Sequence, residues 1–249
     1  MARIVGIIPA RYAATRLPGK MLVEIAGKPL IMHTYARARA AKLVDRVLVA
    51  TDDERILRAV TAAGGEAVMT TGTHRCGSDR VAEAAQAIEC DLVVNIQGDE
   101  IMIEPGVIDA TAQLLLDDPE ADMGTMACRI TTAAEYTDRN VVKVVFDEAG
   151  RALYFSRAPI PHSKRGEFTA QTVAHRHIGI YSYRRAALVR FAAFGPSPLE
   201  LAEDLEQLRA LEHGARIAVG VAAAHNKLKI DTLDELEEAR ALLCRSTSS

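Results

Sequence analysis

Residues 4–20 read IVGIIPARYAATRLPGK. The first five residues, IVGII, are apolar without alternation, which predicts a strand covered on both faces and so a parallel sheet rather than a half-exposed antiparallel one. The segment that follows sets Arg11, Arg16 and Lys20 among Pro9, Pro18 and Gly19. Mutual repulsion of these charges costs stability, so the loop implies an anion held among them. The other reading is a solvated loop whose arginines pair with nearby carboxylates.

Working outward, the same pattern recurs through the first half of the chain. PLIMHTYARARAAKL (29–43) predicts an amphipathic helix and RVLVAT (46–51) a second strand. DERILRAVTAAGG (53–65) predicts a helix stopped by its glycines, and EAVMT (66–70) a short strand. SDRVAEAAQAI (78–88) predicts a helix with a capping serine, DLVVNIQ (91–97) another strand, and PGVIDATAQLLL (105–116) a further helix. Apolar strands separated by helices indicate an α/β fold with a mostly parallel central sheet flanked by helices. Beyond about residue 120 the rhythm changes. VVKVVFDEAGRALYFSR (141–157) predicts an antiparallel hairpin turning at DEAG, and HIGIYSYRR (177–185) a strand. RAALVRFAA (185–193) and LELAEDLEQLRALEHG (199–214) predict helices, RIAVGVAAA (216–224) a late strand and LDELEEARALL (233–243) a closing helix. The expected organisation is one α/β domain over 1–249 with a smaller antiparallel acceptor or dimerisation lobe at about 123–200.

Composition narrows the function. A length of 249 residues suffices for a sizeable core, and the net charge of -3 argues against bulk nucleic-acid or membrane binding. The four cysteines, Cys76, Cys90, Cys128 and Cys244, lack C-x-x-C spacing. Reduced thiols in a cytoplasmic protein are therefore expected rather than a zinc site or disulfide framework. Pro9 and Arg11 interrupt the N-terminal apolar run too early for a signal peptide, and no run approaches bilayer length.

In open α/β sheets ligands bind beyond the carboxyl ends of the strands, and three conspicuous segments fall there: the basic loop, Asp52-Asp53, and QGDE at 97–100. The loop is not a Walker A motif, and no G-x-G-x-x-G is present. Asp99, after a buried strand and Gly98, suits magnesium, which takes one or two carboxylates plus substrate phosphates; alternatively Asp99 or Glu100 caps the next helix. Asp231, in KLKIDTLDEL (227–236), could be a second metal carboxylate or an N-cap, and on its own the cap is preferred. HRCGSDR (74–80) offers a helix start for an anion or the edge of a base, or plain capping. His33 reads as structural, and no Ser-His-Asp or Cys-His arrangement announces a nucleophile.

Read together, IIPARYAATRLPGK, GKPLI, VATDDERI, GSDR, NIQGDE, VVKVVFDEAGRALYFSRAPIP, HIGIYSYRR and LEQLR resemble the 3-deoxy-manno-octulosonate (Kdo) cytidylyltransferases, collinearly from about residue 4 to about 240. The resemblance implies a nucleotide-diphospho-sugar transferase fold, a homodimer, Mg2+ dependence, and transfer of CMP from CTP to Kdo for lipopolysaccharide biosynthesis. It implies phosphate binding by Arg11, Arg16 and Lys20. Nucleotide and cytosine contacts would come from Ala10, Cys76, Gly77, Ser78 and Gln97, and metal binding from Asp99 and Asp231, against the cap preference for the latter. The acidic sugar would lie among Arg80, Arg157, His177, Tyr181, Glu206 and Gln207. Three positions depart from the family pattern: Cys76 for Ser, Ile101 for Pro, and KIDTLDE for Gly-Val-Asp-Thr-Pro. They leave open another anionic acceptor, such as phosphonoformate. A sugar-1-phosphate nucleotidyltransferase should lack LEQLR, and a catalytically dead relative should have lost Arg11, Lys20 or an acidic ligand. Residues HSKRGEF (162–168) and QTVAHR (171–176) read as a mobile acceptor-side loop.

Overall fold

The computed structural model describes residues 2–13, 17–164, 168–169, 171–223, 230 and 232–246. The chain divides into two compact units, one made of 1–109 and 226–249 and the other of 110–225.

The first unit holds β1 (Ile4–Ala10), the small hairpin β2 (Glu24–Ile25) and β3 (Lys28–Pro29), and α1 (Leu30–Arg39). It continues through β4 (Arg46–Thr51), α2 (Glu54–Ala62), β5 (Ala67–Met69), α3 (Gly77–Gln86) and β6 (Leu92–Asn95). Its sheet runs β6-β1-β4-β5, parallel throughout, with Ile7 beside Leu48 on one side and Asn95 on the other. Every residue of β1 is buried, and α1 and α3 pack against β1 and β4. That two-sided burial is why IVGII carries no polar alternation; each large side chain so buried is worth about 1.5–3 kcal/mol. All the strands point their carboxyl ends the same way, so the segments after β1, β4 and β6 emerge on one edge.

Helix α4 (Pro105–Asp117) runs from the first unit's residues into the second's. The second unit holds β7 (Met123–Arg129), α5 (Ala133–Thr137), β8 (Lys143–Phe146), β9 (Ala152–Ser156) and β10 (His175–Arg184). Then come α6 (Arg185–Ala193), α7 (Pro198–Glu203), α8 (Gln207–Glu212) and β11 (Ile217–Ala222). Here β11 lies parallel to β7, while β7-β10, β10-β8 and β8-β9 are antiparallel. The DEAG turn joins β8 to β9: the Asp147 carboxylate accepts from Ala149 N at 3.0 Å and Arg151 N at 2.8 Å. The expected helix over 199–214 is two helices, broken at Asp204, whose backbone is left-handed at φ 53°. Helix α9 (Leu233–Ser246) belongs to the first unit. The fold is thus mixed α/β, with parallel strands flanked by helices and a smaller antiparallel part.

Candidate active site

The basic loop is shaped by contacts within the chain. Gly19 N donates to Tyr12 O at 2.8 Å, closing the loop at its base. The Tyr12 ring stacks under the Arg55 guanidinium, whose carbon lies 3.3 Å from the ring centroid. Arg55 is itself held by both carboxylate oxygens of Asp53, at 3.0 and 2.7 Å, and Asp53 caps α2. Gly19 has φ 72°, and a Cβ there would lie 3.1 Å from the Tyr12 ring. Gly19→Ala therefore meets both a backbone and a contact penalty, of about 1–2 kcal/mol locally. Catalytic turnover should fall at least tenfold while the thermal midpoint moves by only a few degrees, checked by steady-state kinetics and calorimetry.

Gly19 delivers Lys20 into a buried 3-10 turn, Lys20–Leu22. There the ammonium donates to Asp99 Oδ2 at 2.7 Å and to Ile230 O at 2.9 Å. Both side chains of the ion pair are only 9% exposed. The Asp99 side is fixed by Gly98, where a Cβ would lie 3.1 Å from both Ile31 Cδ1 and Met21 Cε, while Gly98 O accepts from Thr34 Oγ1 at 2.9 Å. Asp99 is therefore committed to the strand edge and to Lys20, not to capping α4, which begins six residues later at Pro105. Ala10 is buried at the end of β1, Gln97 is half-buried, and exposed Arg11 has no hydrogen bond or ion pair among the described residues.

At α3 the capping position falls to Cys76, whose side chain makes no capping hydrogen bond. The expected capping serine does something else: Ser78 is fully buried and its hydroxyl accepts from Asn95 Nδ2 at 3.1 Å. Gly77 and Ser78 thus offer backbone N–H groups at the helix start. The preceding loop is pinned by Glu83, which accepts from Thr71 N at 2.7 Å and Gly72 N at 3.1 Å and bonds His74 at 2.7 Å. Despite the burial that opposes ionisation, these bonds hold the Glu83 carboxyl below its usual pKa. Arg80 is buried, donating to Thr70 Oγ1 and Asp52 Oδ2, each at 2.7 Å. The cap of α9 is Thr232: its hydroxyl accepts from Glu235 N at 3.3 Å, and Glu235 accepts from Thr232 N at 2.8 Å. The metal and capping readings of Asp231 and the phosphate reading of Arg16 fall on positions outside the described residues.

The remaining acceptor-side candidates lie in the second unit. Arg157 donates from Nε to Glu203 O at 2.7 Å and from Nη2 to Asp204 O at 3.1 Å, and its backbone N donates to the Glu203 carboxylate at 2.8 Å. Beneath it the fully buried Lys143 ammonium donates to the carbonyls of Arg157, Asp138 and Val141, at 2.7, 2.9 and 2.5 Å. Burial pushes the pKa of this lysine down. The His177 ring lies edge-on to Phe155, with centroids 5.1 Å apart, and 5.3 Å from the Tyr181 ring. Glu206 precedes α8, and Gln207, 3% exposed, has a buried Nε2 with no hydrogen-bond partner among the described residues. A buried amide donor left unpaired costs about 1–3 kcal/mol and marks a place for a ligand acceptor atom.

The model of the cytidylyltransferase family matches residues 5–217. A 3-deoxy-manno-octulosonate cytidylyltransferase of Geobacter metallireducens is 47% identical over 251 aligned residues, covering 98% of each chain. The enzyme of that name from Geobacter sulfurreducens is 48% identical over 94% of this chain and 97% of its own. The chain belongs to the 3-deoxy-manno-octulosonate cytidylyltransferase family. A solved structure of CMP:2-keto-3-deoxy-manno-octonic acid synthetase complexed with CTP superposes with a TM-score of 0.93 at 42% identity, over 98% of this chain and 100% of that one.

Several residues that organise the site of this cytidylyltransferase carry no motif of their own. Tyr12 and Arg55 shape the basic loop, and Lys143 and Glu203 hold Arg157. A lysine inside the apolar run VVKVVF was the one available signal for a buried cation. Packing against the Phe155 and Tyr181 rings desolvates the imidazole of His177 and lowers its pKa from 6.5 to about 3, although the residue as a whole keeps some solvent exposure. The ring is neutral at neutral pH. Between 6.5 and 3 the unfolded chain takes up a proton that the native ring refuses, so this group removes stability as pH falls through that window.

Proposed function

We propose that this cytidylyltransferase transfers CMP from CTP to Kdo, releasing pyrophosphate. The observation that carries the reading is the buried Lys20–Asp99 pair at the edge where the parallel strands end, with exposed Arg11 following β1. A triphosphate there meets a buried ammonium and an exposed guanidinium, the pairing such a polyanion needs.

The reaction is an in-line displacement. A hydroxyl oxygen of the acceptor bonds to the α-phosphorus, the bond from that phosphorus to the bridging oxygen breaks, pyrophosphate departs with the bond electrons, and the hydroxyl proton passes to solvent. No protein nucleophile is needed, so positioning and charge neutralisation do the work. Lys20 and Arg11 stabilise charge growing on the leaving group. The backbone N–H groups of Gly77 and Ser78 and the Gln97 side chain orient the nucleotide. Arg157, His177, Tyr181, Glu206 and Gln207 recognise the acidic acceptor; the buried Gln207 Nε2, without a hydrogen-bond partner among the described residues, supports that role.

Magnesium fits the donor set. The Asp99 carboxylate at the strand edge is a hard oxygen donor of the kind that magnesium takes together with substrate phosphates. Asp99 would hold it, with Asp231 as the second carboxylate, and bound there it would supply Lewis-acid stabilisation of phosphate charge. A homodimer belongs to the same reading, supported by exposed Leu153, Leu201 and Val221. So does a reducing, cytoplasmic setting, supported by Cys76, Cys90 and Cys128, none of which forms a disulfide among the described residues. No helix among the described residues is long and apolar enough to cross a membrane.

The test is pyrophosphate release from CTP across a panel of acidic sugars and phosphonoformate. Kdo is expected to be the best acceptor, with turnover abolished by EDTA and restored by added Mg2+. Release with phosphonoformate and not Kdo would reassign the acceptor, and CTP binding without release for any acceptor would refute the enzymatic reading.

A further inference from the structure

Strand β10 is not regular. Its register against β7 shifts between Ile178, opposite Met126, and Tyr181, opposite Thr125, so Gly179 and Ile180 are extra residues on the β10 side. The irregularity turns backbone carbonyls toward β7, and the fully buried Thr125 hydroxyl fills the space. Its Oγ1 lies 2.7 Å from Ile180 O, 3.3 Å from Ile178 O and 2.8 Å from His177 Nε2.

A hydroxyl has one proton, and a carbonyl oxygen can only accept. If the Thr125 proton pointed at His177, the oxygen lone pairs would face two carbonyl oxygens and leave both without this donor, which is unfavourable in a buried site. The proton therefore goes to Ile180 O, the nearer carbonyl. The oxygen is left as an acceptor toward Nε2, and Nε2 must carry the hydrogen. Burial keeps the ring neutral, so Nδ1 has a bare lone pair. The Phe155 edge and the Tyr181 ring hold the imidazole plane. Nδ1 makes no hydrogen bond among the described residues, and His177 is only partly buried.

We propose that Thr125 is a positioning residue that fixes His177 as the Nε2–H tautomer, so that Nδ1 accepts a hydrogen bond from a hydroxyl of the acceptor and disfavours an oxyanion at that place. The acceptor half of this statement rests on the functional reading above; the tautomer half does not. Discrimination comes from polarity, because a lone pair facing a carboxylate or phosphonate oxygen is repulsive whereas a hydroxyl supplies the missing donor.

The experiment has two arms on the full chain. Nitrogen-15 correlation spectra of the histidine rings without ligand should show His177 protonated at Nε2 and bare at Nδ1. Thr125→Val should disturb that pattern and Thr125→Ser should keep it. In kinetics, Thr125→Val should raise the acceptor KM by about tenfold, the loss of one oriented hydrogen bond, with the CTP KM within about twofold, and Thr125→Ser should restore the wild-type value. An Nδ1–H tautomer in the wild type would overturn the proposal. So would an unchanged acceptor KM in Thr125→Val, or a parallel loss of CTP and acceptor affinity that serine does not rescue. Absence of turnover with Kdo in the wild type would instead refute the functional reading, and the spectra would still decide the tautomer.

Discussion

Lys20→Met is expected to cut pyrophosphate release by about 10²–10³-fold, the range for removing one charge-stabilising donor from an active site, and also to destabilise the fold. The second effect follows from burial. With both side chains 9% exposed, removing the ammonium leaves Asp99 as an uncompensated carboxylate, which typically costs about 3–5 kcal/mol. The two losses separate in a double variant. Lys20→Met combined with Asp99→Asn removes both charges, so most of the urea-unfolding stability should return while turnover stays low. Because Asp99→Asn also removes the carboxylate proposed to hold magnesium, the double variant reports on stability only; wild-type turnover in the single variant Lys20→Met, assayed where it is folded, would mean that Lys20 serves the fold alone.

The second large effect is in the other unit. Arg209 is 1% exposed, donates from Nε to Glu200 at 2.8 Å, and lies over the Phe191 ring at 4.7 Å. The same Glu200 oxygen accepts from Ser197 N at 3.1 Å, the carboxylate half of a capping box at the start of α7. Arg209→Met keeps the length and apolar bulk of the side chain but strands the Glu200 carboxylate. A loss of about 3–5 kcal/mol is expected, read as a lowered urea midpoint. Because α7 and α8 flank Glu206 and Gln207, the acceptor KM should rise more than the CTP KM. Arg209→Lys should recover little, since an ammonium cannot present the same planar pair of donors. An unchanged midpoint in Arg209→Met would show that the pair contributes nothing net.

How far the sequence reaches depends on which force decides each element. The parallel strands were legible because two-sided burial writes itself as runs such as IVGII and RVLVAT, all buried except Arg46 at the first position of β4. Strand β7 was not: MGTMACR offers Gly, Thr and Ala rather than β-branched bulk. Its place is set by pairing with β10 and β11, partners distant in the chain. The break between α7 and α8 left no Gly or Pro to read, because Asp204 itself adopts the left-handed conformation. At the site, the clustering of charge around Lys20 was visible, but its buried partnership with Asp99 depends on contacts across 79 positions of sequence. The Ser78 reading failed for a related reason. Helix-start composition points to a cap, whereas the buried Asn95 amide, brought alongside by β6, takes the hydroxyl. Thr125 showed only as a polar residue in an apolar stretch, and its meaning comes from the irregularity in β10.

The most direct test is a crystal structure with CTP bound, read at one place, Lys20 Nζ. Hydrogen-bond contact with a phosphate oxygen, at about 2.7–3.2 Å, with Asp99 facing the same phosphates, is the result expected here. A bound CTP whose phosphates lie away from Lys20, with the Lys20–Asp99 pair intact and buried beneath, would contradict it.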